Sequence, residues 1–333
     1  MPRLRLSARR WEEPWPKSSL PMSNPRTLKD WFIALRPWSF STSAIPVIAT
    51  LAFVCFASHH DIDLGSSASA PDYANGFLSL LMIMLLHGGG NLVSDYYDHV
   101  RRVDLPGCPN GVHWISSGVF RPREILVYGL LLLAIGAAVG VLILFRSDIE
   151  VLWIGVLAVA LPLGYPWLKA HALGDVDILL CFAVLPALGT CFVMTGVYYL
   201  PVIFLSLPYG LLTVSILHAN NTRDRANDRR AGLLTLPLIL GWQASRRLYV
   251  AYLVVPYLLV LFVMGFYFGH SATILCLLLV LLTLPVAVRN IRAMMTAEAE
   301  DEQDIGVLDQ MSAQLQLVFG LSYSLGFALA SFV

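Results

Sequence analysis

Long uncharged, apolar runs alternate with short charged segments along the whole chain. Pro37–His60 is the first run, Tyr73–Ser94 the second, Ile125–Phe145 the third and Val151–Leu168 the fourth. Ile178–Thr222 is long enough for two spans, with a break near Tyr199-Leu200-Pro201. Leu248–Val288 is again two, broken near Gly269-His270-Ser271, and Gln310–Val333 completes the set. A helix crossing a bilayer needs about 20 apolar residues. These runs are continuously apolar and lack the period-two alternation of barrel strands, so they read as helices. The pattern predicts an all-α, polytopic membrane protein with nine transmembrane helices.

Composition agrees. Of 333 residues, 57% are apolar and 13% are charged, about half the charged share of an ordinary soluble domain. A water-soluble chain of this length is excluded, because its polar groups could not cover its surface. Net charge is zero and carries no information, but the placement of charge does. With nine spans, every lysine and arginine except Arg146 falls in the N-terminal segment or in a loop leading from an even to an odd span. The positive-inside rule then puts the N-terminus and those loops in the cytoplasm. They are the long, charged loops, so function is expected to face the cytoplasm, at the cell's inner membrane. No nucleic-acid partner is expected.

Residues 1–28 form a basic N-terminal segment with no apolar stretch typical of a signal peptide; residues 29–333 are expected to form one membrane domain. Met22 opens a phrase that reads like a protein start. Residues 1–21 are therefore either an over-extended start or a basic segment lying on an anionic leaflet. Cys55, Cys181, Cys191 and Cys276 lie in spans and Cys108 in a loop, with no CxxC pair to bind metal. Glu298–Asp309 is an acidic stretch, expected to be a solvated linker.

The chemistry gathers at two span ends. Asn91, Asp95 and Asp98 follow one another at i, i+4 and i+7, on one helix face, with Asp104 shortly after. Asn220, Asp224 and Asp228 follow at i, i+4 and i+8, with Asn221 adjacent. Both groups are N-x-x-x-D at the cytoplasmic end of an inward-running span, a faint internal repeat. Acids at the ends of apolar spans are costly unless paired or functional. Two such faces set against each other would repel without cations, and Mg²⁺ is the economical one: hard, content with a few carboxylates, and able to take phosphate oxygens. Arg101, Arg102, Arg223, Arg225, Arg229, Arg230 and Lys169 surround the same loops. Acid, base and an apolar bundle together indicate an amphiphile with a diphosphate head and a hydrocarbon tail. Interfacial ion pairing is the competing reading for any single acid. The Gly88-Gly89-Gly90 run marks either close helix packing or unwound backbone near a ligand.

These residues also resemble a known family. Asn91-Leu-Val-Ser-Asp-Tyr-Tyr-Asp98 is similar to the first aspartate-rich motif of the UbiA superfamily of membrane prenyltransferases. Asn221-Thr-Arg-Asp224-Arg-Ala-Asn-Asp228 is similar to the second. Within the superfamily the chain looks most like the 1,4-dihydroxy-2-naphthoate polyprenyltransferases. Arg36-Pro37-Trp38-Ser39-Phe40 resembles their opening; Tyr165-Pro166-Trp167-Leu168-Lys169 and Ala172-Leu173-Gly174-Asp175 resemble the loop between spans four and five. The likeness runs from about Arg36 to Gly241, and beyond that the spans match only as hydrophobic segments. Ser94 departs from the pattern, since many relatives carry Asn there.

The resemblance implies nine helices around a central cavity and a Mg²⁺-dependent transfer of a prenyl chain from polyprenyl diphosphate to an aromatic ring. In the naphthoate enzymes, loss of the ring carboxylate accompanies transfer and gives demethylmenaquinone. It implies Asn91, Asp95 and Asp98 as ligands of one Mg²⁺, and Asn220 or Asn221 with Asp224 and Asp228 as ligands of another. Lys169, Arg223 and Arg229 become candidate diphosphate contacts. Asp175 either positions or deprotonates the ring hydroxyl, or caps a helix. Tyr96, Tyr97 and Tyr165 are candidates for cation stabilisation; His87 and His218 read as structural hydrogen-bonding residues. Two rivals stand beside this. One is another acceptor (4-hydroxybenzoate, homogentisate, haem or a chlorophyllide). The other is a transporter, whose expected mark is a polar residue near the bilayer midplane.

Overall fold

Thr27 starts the first helix by accepting a hydrogen bond from the Asp30 amide, while the Asp30 carboxylate takes the Thr27 amide in return. This reciprocal cap opens α1 (Leu28–Ala34) in the computed structural model, which describes residues 26–65, 70–100, 114–230, 232–267, 278–298 and 305–333. The helices that follow are α2 (Ser41–His59), α3 (Tyr73–Val100), α4 (Pro122–Arg146), α5 (Leu152–Ala170) and α6 (Gly174–Thr195). Then come α7 (Val202–Arg223), α8 (Arg225–Arg230), α9 (Leu236–Tyr267), α10 (Leu284–Thr296) and α11 (Leu308–Ala330). Among the described residues, eight helices are long and apolar enough to cross a membrane, and Ile149–Tyr165 is a shorter apolar one. Each falls on one of the nine apolar runs. The protein is an all-α, multi-span membrane protein. The N-terminal segment to residue 25, Asp104, Arg101, Arg102, Cys108, Cys276 and the break at residues 269–271 lie outside the described residues.

The chain gathers into two compact units. Of the described residues, the smaller holds those up to Pro37 together with 88–100 and 114–133. Its core is Ala34, Leu92, Ile115, Phe120 and Ile125. Trp31 sets its edge against Phe120 and Tyr128, with centroids 4.6 and 5.2 Å away. The glycine run is settled here. α3 stays helical through it, and a Cβ on Gly89 would lie 2.8 Å from Leu133 Cγ and 2.9 Å from the Gly129 carbonyl oxygen. The small residue lets the two helices touch backbone to backbone, as small residues do in membranes.

The larger unit holds Trp38–His87 and Ala134–Val333. Ile45, Phe53, Tyr209, Leu212, Phe319 and Tyr323 are buried at its centre. Gly210 on α7 faces Ala183 on α6, where an added Cβ would come within 2.6 Å. Ala183 lies in a π-helical turn, Leu180–Val184. At the end of the unit that bears Arg146, this guanidinium donates to Asp72 Oδ2 (2.9 Å) and Asn75 Oδ1 (2.8 Å). Asn75 in turn donates to the Val193 carbonyl. The one base that stands apart from the others thus clasps three chain segments.

Two helices extend well beyond their apolar runs. α3 continues past Ser94 to Val100, and α9 begins at Leu236, well before Leu248, with Gly241 at φ +75° interrupting it. Helices outlast the hydrocarbon core, because backbone hydrogen bonding does not stop where the first charge appears.

Candidate active site

The first motif lies on unbroken helix, so the spacing of Asn91, Asp95 and Asp98 keeps them on one face of α3. Asp95 is buried and ion-paired to Arg36. Arg36 follows the end of α1 with φ +57°, a left-handed conformation that glycine adopts most readily. Asn91 donates to the Leu35 carbonyl at 2.9 Å, and Ser94 donates to Asp98 Oδ2 at 3.4 Å. Both Arg36 and Leu35 belong to the turn after α1, so that turn holds the motif in place. The sequence offered no signal for this partnership beyond the basic character of Arg36.

The second motif is built differently. α7 ends at Arg223, and Asp224 is its C-cap at φ −85°, ψ 8°. Asp228 sits on the separate short helix α8. The i, i+4, i+8 face expected of one helix is therefore broken at Asp224. The break is a bend, since the Asp224 amide still reaches Asn220 O and the Asp228 amide reaches Asp224 O, each at 2.9 Å. Arg223 fastens the bend. It donates to Asp224 Oδ1 at 2.9 Å, to Asp309 Oδ2 at 3.0 Å, to the Gly306 carbonyl and to Asn220 Oδ1. Asp309 is thus no part of a solvated linker: it stands in the first turn of α11 and anchors Arg223.

Lys169, in the last turn of α5, brings Nζ to 4.0 Å from Asp228 Oδ1. A single parallel bridge between His171 and Leu234 ties the two loops that carry them. Burial pushes the Asp228 carboxyl above its ordinary value, with the Lys169 ammonium opposing the shift. Arg229 is exposed and lines a shallow pocket of about 300 Å³ with Leu233, Leu234, Leu238 and Ile239.

Asp175 lies in the first turn of α6, whose N-cap is Leu173 with no side-chain cap, so the helix-cap reading is not realised. It is buried, and its Oδ2 accepts from His218 Nδ1 at 2.9 Å and from the Tyr252 hydroxyl at 3.0 Å. His87 is hydrogen-bonded to Ser39 and Ser43. Both histidines therefore serve as hydrogen-bonding residues, but His218 spends its bond on a candidate site residue. Asp177 escaped the sequence reading. It is buried one turn from Cys181, whose thiol donates to it at 3.8 Å. Tyr165 lies within electrostatic reach of Asp177, Asp175 and Asp228.

The second motif suits a hard cation. Its donors are all oxygens, and two of them, Asn221 Oδ1 and Asp228 Oδ2, are buried without a hydrogen-bond partner. Among the described residues, no three or more His, Cys, Asp or Glu side chains gather closely enough to cage a metal.

Fold and motifs together define a polytopic membrane enzyme with acidic helix ends. The sequence model of the UbiA prenyltransferase family matches residues 42–302. The chain belongs to this family and is a prenyltransferase. UbiA prenyltransferase domain-containing protein 1 of Danio rerio is 32% identical over 313 residues, covering 90% of this chain and 83% of that protein. Among solved structures, an apo UbiA homologue from Aeropyrum pernix K1 superposes with a TM-score of 0.58 at 16% identity, covering 83% of this chain and 96% of that one. A UbiA homologue from Archaeoglobus fulgidus, bound to DMAPP and Mg²⁺, gives 0.53 at 15% identity, covering 87% and 98%.

Proposed function

We propose that this enzyme transfers a polyprenyl chain from its diphosphate to a hydroxylated aromatic acceptor in a Mg²⁺-dependent reaction, with 1,4-dihydroxy-2-naphthoate as the acceptor. The observation that carries the reading is the second motif. An all-oxygen donor set with buried, unpartnered Asn221 and Asp228 oxygens lies beside the Lys169 ammonium. The Archaeoglobus homologue, which binds DMAPP with Mg²⁺ on the same fold, supports the donor and the metal. The naphthoate acceptor rests on the likeness of residues 36–40, 165–169 and 172–175 to the naphthoate enzymes.

Asn91, Asp95 and Asp98 would hold one ion, and Asn220 or Asn221 with Asp224 and Asp228 the other. When bound, Mg²⁺ supplies neutralising charge to the diphosphate oxygens. Lys169 adds charge to the same end, and Arg223 and Arg229 are further candidates for contact with the diphosphate. Arg223 is already bonded to Asp224 and Asn220 and so also fixes those two side chains. The allylic C–O bond breaks and its electron pair leaves with diphosphate. A π pair of the electron-rich ring forms the new C–C bond, and loss of the ring proton restores aromaticity. The naphthoate carboxyl leaves as CO₂, with a proton taking its place. The tail lies among apolar helices and lipid. The placement of lysine and arginine along the sequence supports a reaction on the cytoplasmic side.

The test is direct. Membranes holding the full chain receive 1,4-dihydroxy-2-naphthoate and a polyprenyl diphosphate, with Mg²⁺ or with EDTA, and products are read by mass spectrometry. The expected product appears only with the metal and shows both prenyl gain and CO₂ loss. A product from 4-hydroxybenzoate or homogentisate alone would move the acceptor and keep the chemistry. No product from any acceptor would overturn the reading.

A further inference from the structure

Asp175 has two carboxylate oxygens with opposite circumstances. Oδ2 is saturated: His218 Nδ1 donates to it at 2.9 Å and the Tyr252 hydroxyl at 3.0 Å. His218 is fully buried, and its other nitrogen lies 3.1 Å from the Ser245 carbonyl. Both ring nitrogens thus face acceptors. Oδ1 of the same carboxylate is buried and has no hydrogen-bond partner. An unpaired buried acceptor is costly, and here three helices, α6, α7 and α9, cooperate to keep one.

We propose that His218 and Tyr252 are positioning residues which occupy one oxygen of Asp175 and so reserve the other for the hydroxyl of the aromatic acceptor. This rests on the aromatic-acceptor reading above. The chemistry selects between the two substrates. A diphosphate offers only acceptor oxygens and negative charge, and it would be repelled by a carboxylate oxygen. A phenol or naphthol offers the O–H donor that Oδ1 lacks. Accepting that hydrogen bond orients the ring and pushes electron density into it, which raises the nucleophilicity of the carbon that attacks. No proton has to leave through Asp175.

The experiment compares wild type with Tyr252→Phe and His218→Gln, using the acceptor that wild type turns over. Tyr252→Phe removes one hydroxyl and keeps the ring, so it tests the idea even if His218→Gln fails to fold. KM for the acceptor should rise about fivefold in Tyr252→Phe and more in His218→Gln. KM for the prenyl diphosphate should stay within about twofold. The O-methyl ether of the acceptor, which cannot donate, should inhibit wild type and Tyr252→Phe equally. An unchanged acceptor KM, parallel changes for both substrates, or weaker inhibition of Tyr252→Phe by the ether would overturn the inference and leave the enzyme's function standing. A wild type that uses no hydroxylated aromatic acceptor would overturn the underlying reading and this inference with it.

Discussion

The two aspartate motifs look alike as sequence and differ as structure. Each is N-x-x-x-D followed by a further Asp, and each has an arginine on its central acid. The first rides on unbroken α3 and takes its arginine from Arg36, 59 residues away in the chain. The second bends at Asp224 and takes its arginine from the neighbouring position, Arg223, which is itself moored to α11 through Asp309. A straight helix fixes the relative placing of its donors by geometry alone, so the first motif needs only to be pointed. A bent segment does not, so the second needs a clamp. The side chains are thus held by rigidity in one motif and by cross-bracing in the other.

The largest expected effect tests what the motifs share. Asp95→Asn and Asp224→Asn each keep the side-chain shape and remove a charge that would meet a cation. Loss of several kcal/mol of charge stabilisation corresponds to about 10³-fold in turnover. Both variants should reach the membrane folded, as read by detergent size-exclusion profile and thermal unfolding, with turnover near background. Near-normal turnover in either would remove that motif from the site.

Asp309→Asn tests what separates them. It leaves both motifs intact and weakens the mooring of Arg223. Partners of this kind typically cost about 10–100-fold when lost. Turnover should fall in that range, with a raised Mg²⁺ requirement measured by metal titration of the membranes. Wild-type metal dependence in Asp309→Asn would mean that the bend at Asp224 holds itself.

These partners explain how far the sequence could be read. Span number came through because hydrocarbon-crossing helices need long apolar runs, and nothing else in the chain produces them. The acids came through because charge at the end of such a run is conspicuous. What closed around them did not. Arg36 reaches Asp95 and Asp309 reaches Arg223 across 59 and 86 residues, and no local period records such contacts. His218 read as a residue with a structural bond, which it is, yet its partner Asp175 could be found only in three dimensions. Asp177 was hidden by its neighbour, since two acids spaced i, i+2 look like a solvated helix start until burial is known. The bend at Asp224 was missed because Thr222-Arg-Asp-Arg-Ala contains no residue that forbids helix.

A further variant probes the rigidity of the first motif. Gly89→Leu would drive a side chain into Leu133 and the Gly129 carbonyl. Overpacking of this kind costs about 1–3 kcal/mol, so the thermal midpoint in detergent should fall by several degrees. Gly90→Leu, with open space around its Cβ position, is the control and should hold or slightly raise the midpoint, since glycine is a poor helix former. Equal midpoints for the two variants would mean that α3 and α4 are not locked at Gly89.

The smallest effect concerns how the first motif is pointed. Leu35 and Arg36 reach Asn91 and Asp95 from the end of α1, and α1 is started by the Thr27–Asp30 cap. Thr27→Ala removes that cap while touching neither motif. Fraying of a seven-residue helix should loosen the Arg36–Asp95 pair and lower turnover about two- to threefold, within the usual range for a lost cap. The cap is also acid-sensitive in a defined direction. Hydrogen bonds from Thr27 hold the Asp30 carboxyl below its ordinary value, so its contribution is present above the ordinary carboxylate range and is lost as pH falls through the lowered value. At neutral pH the cap is fully formed, and the deficit of Thr27→Ala should be constant there. Amide exchange across α1, read by mass spectrometry, should quicken in Thr27→Ala while exchange across α8 stays the same. Quickened exchange in both would mean that the two motifs share one support, and the contrast between a pointed helix and a clamped bend would have to be given up.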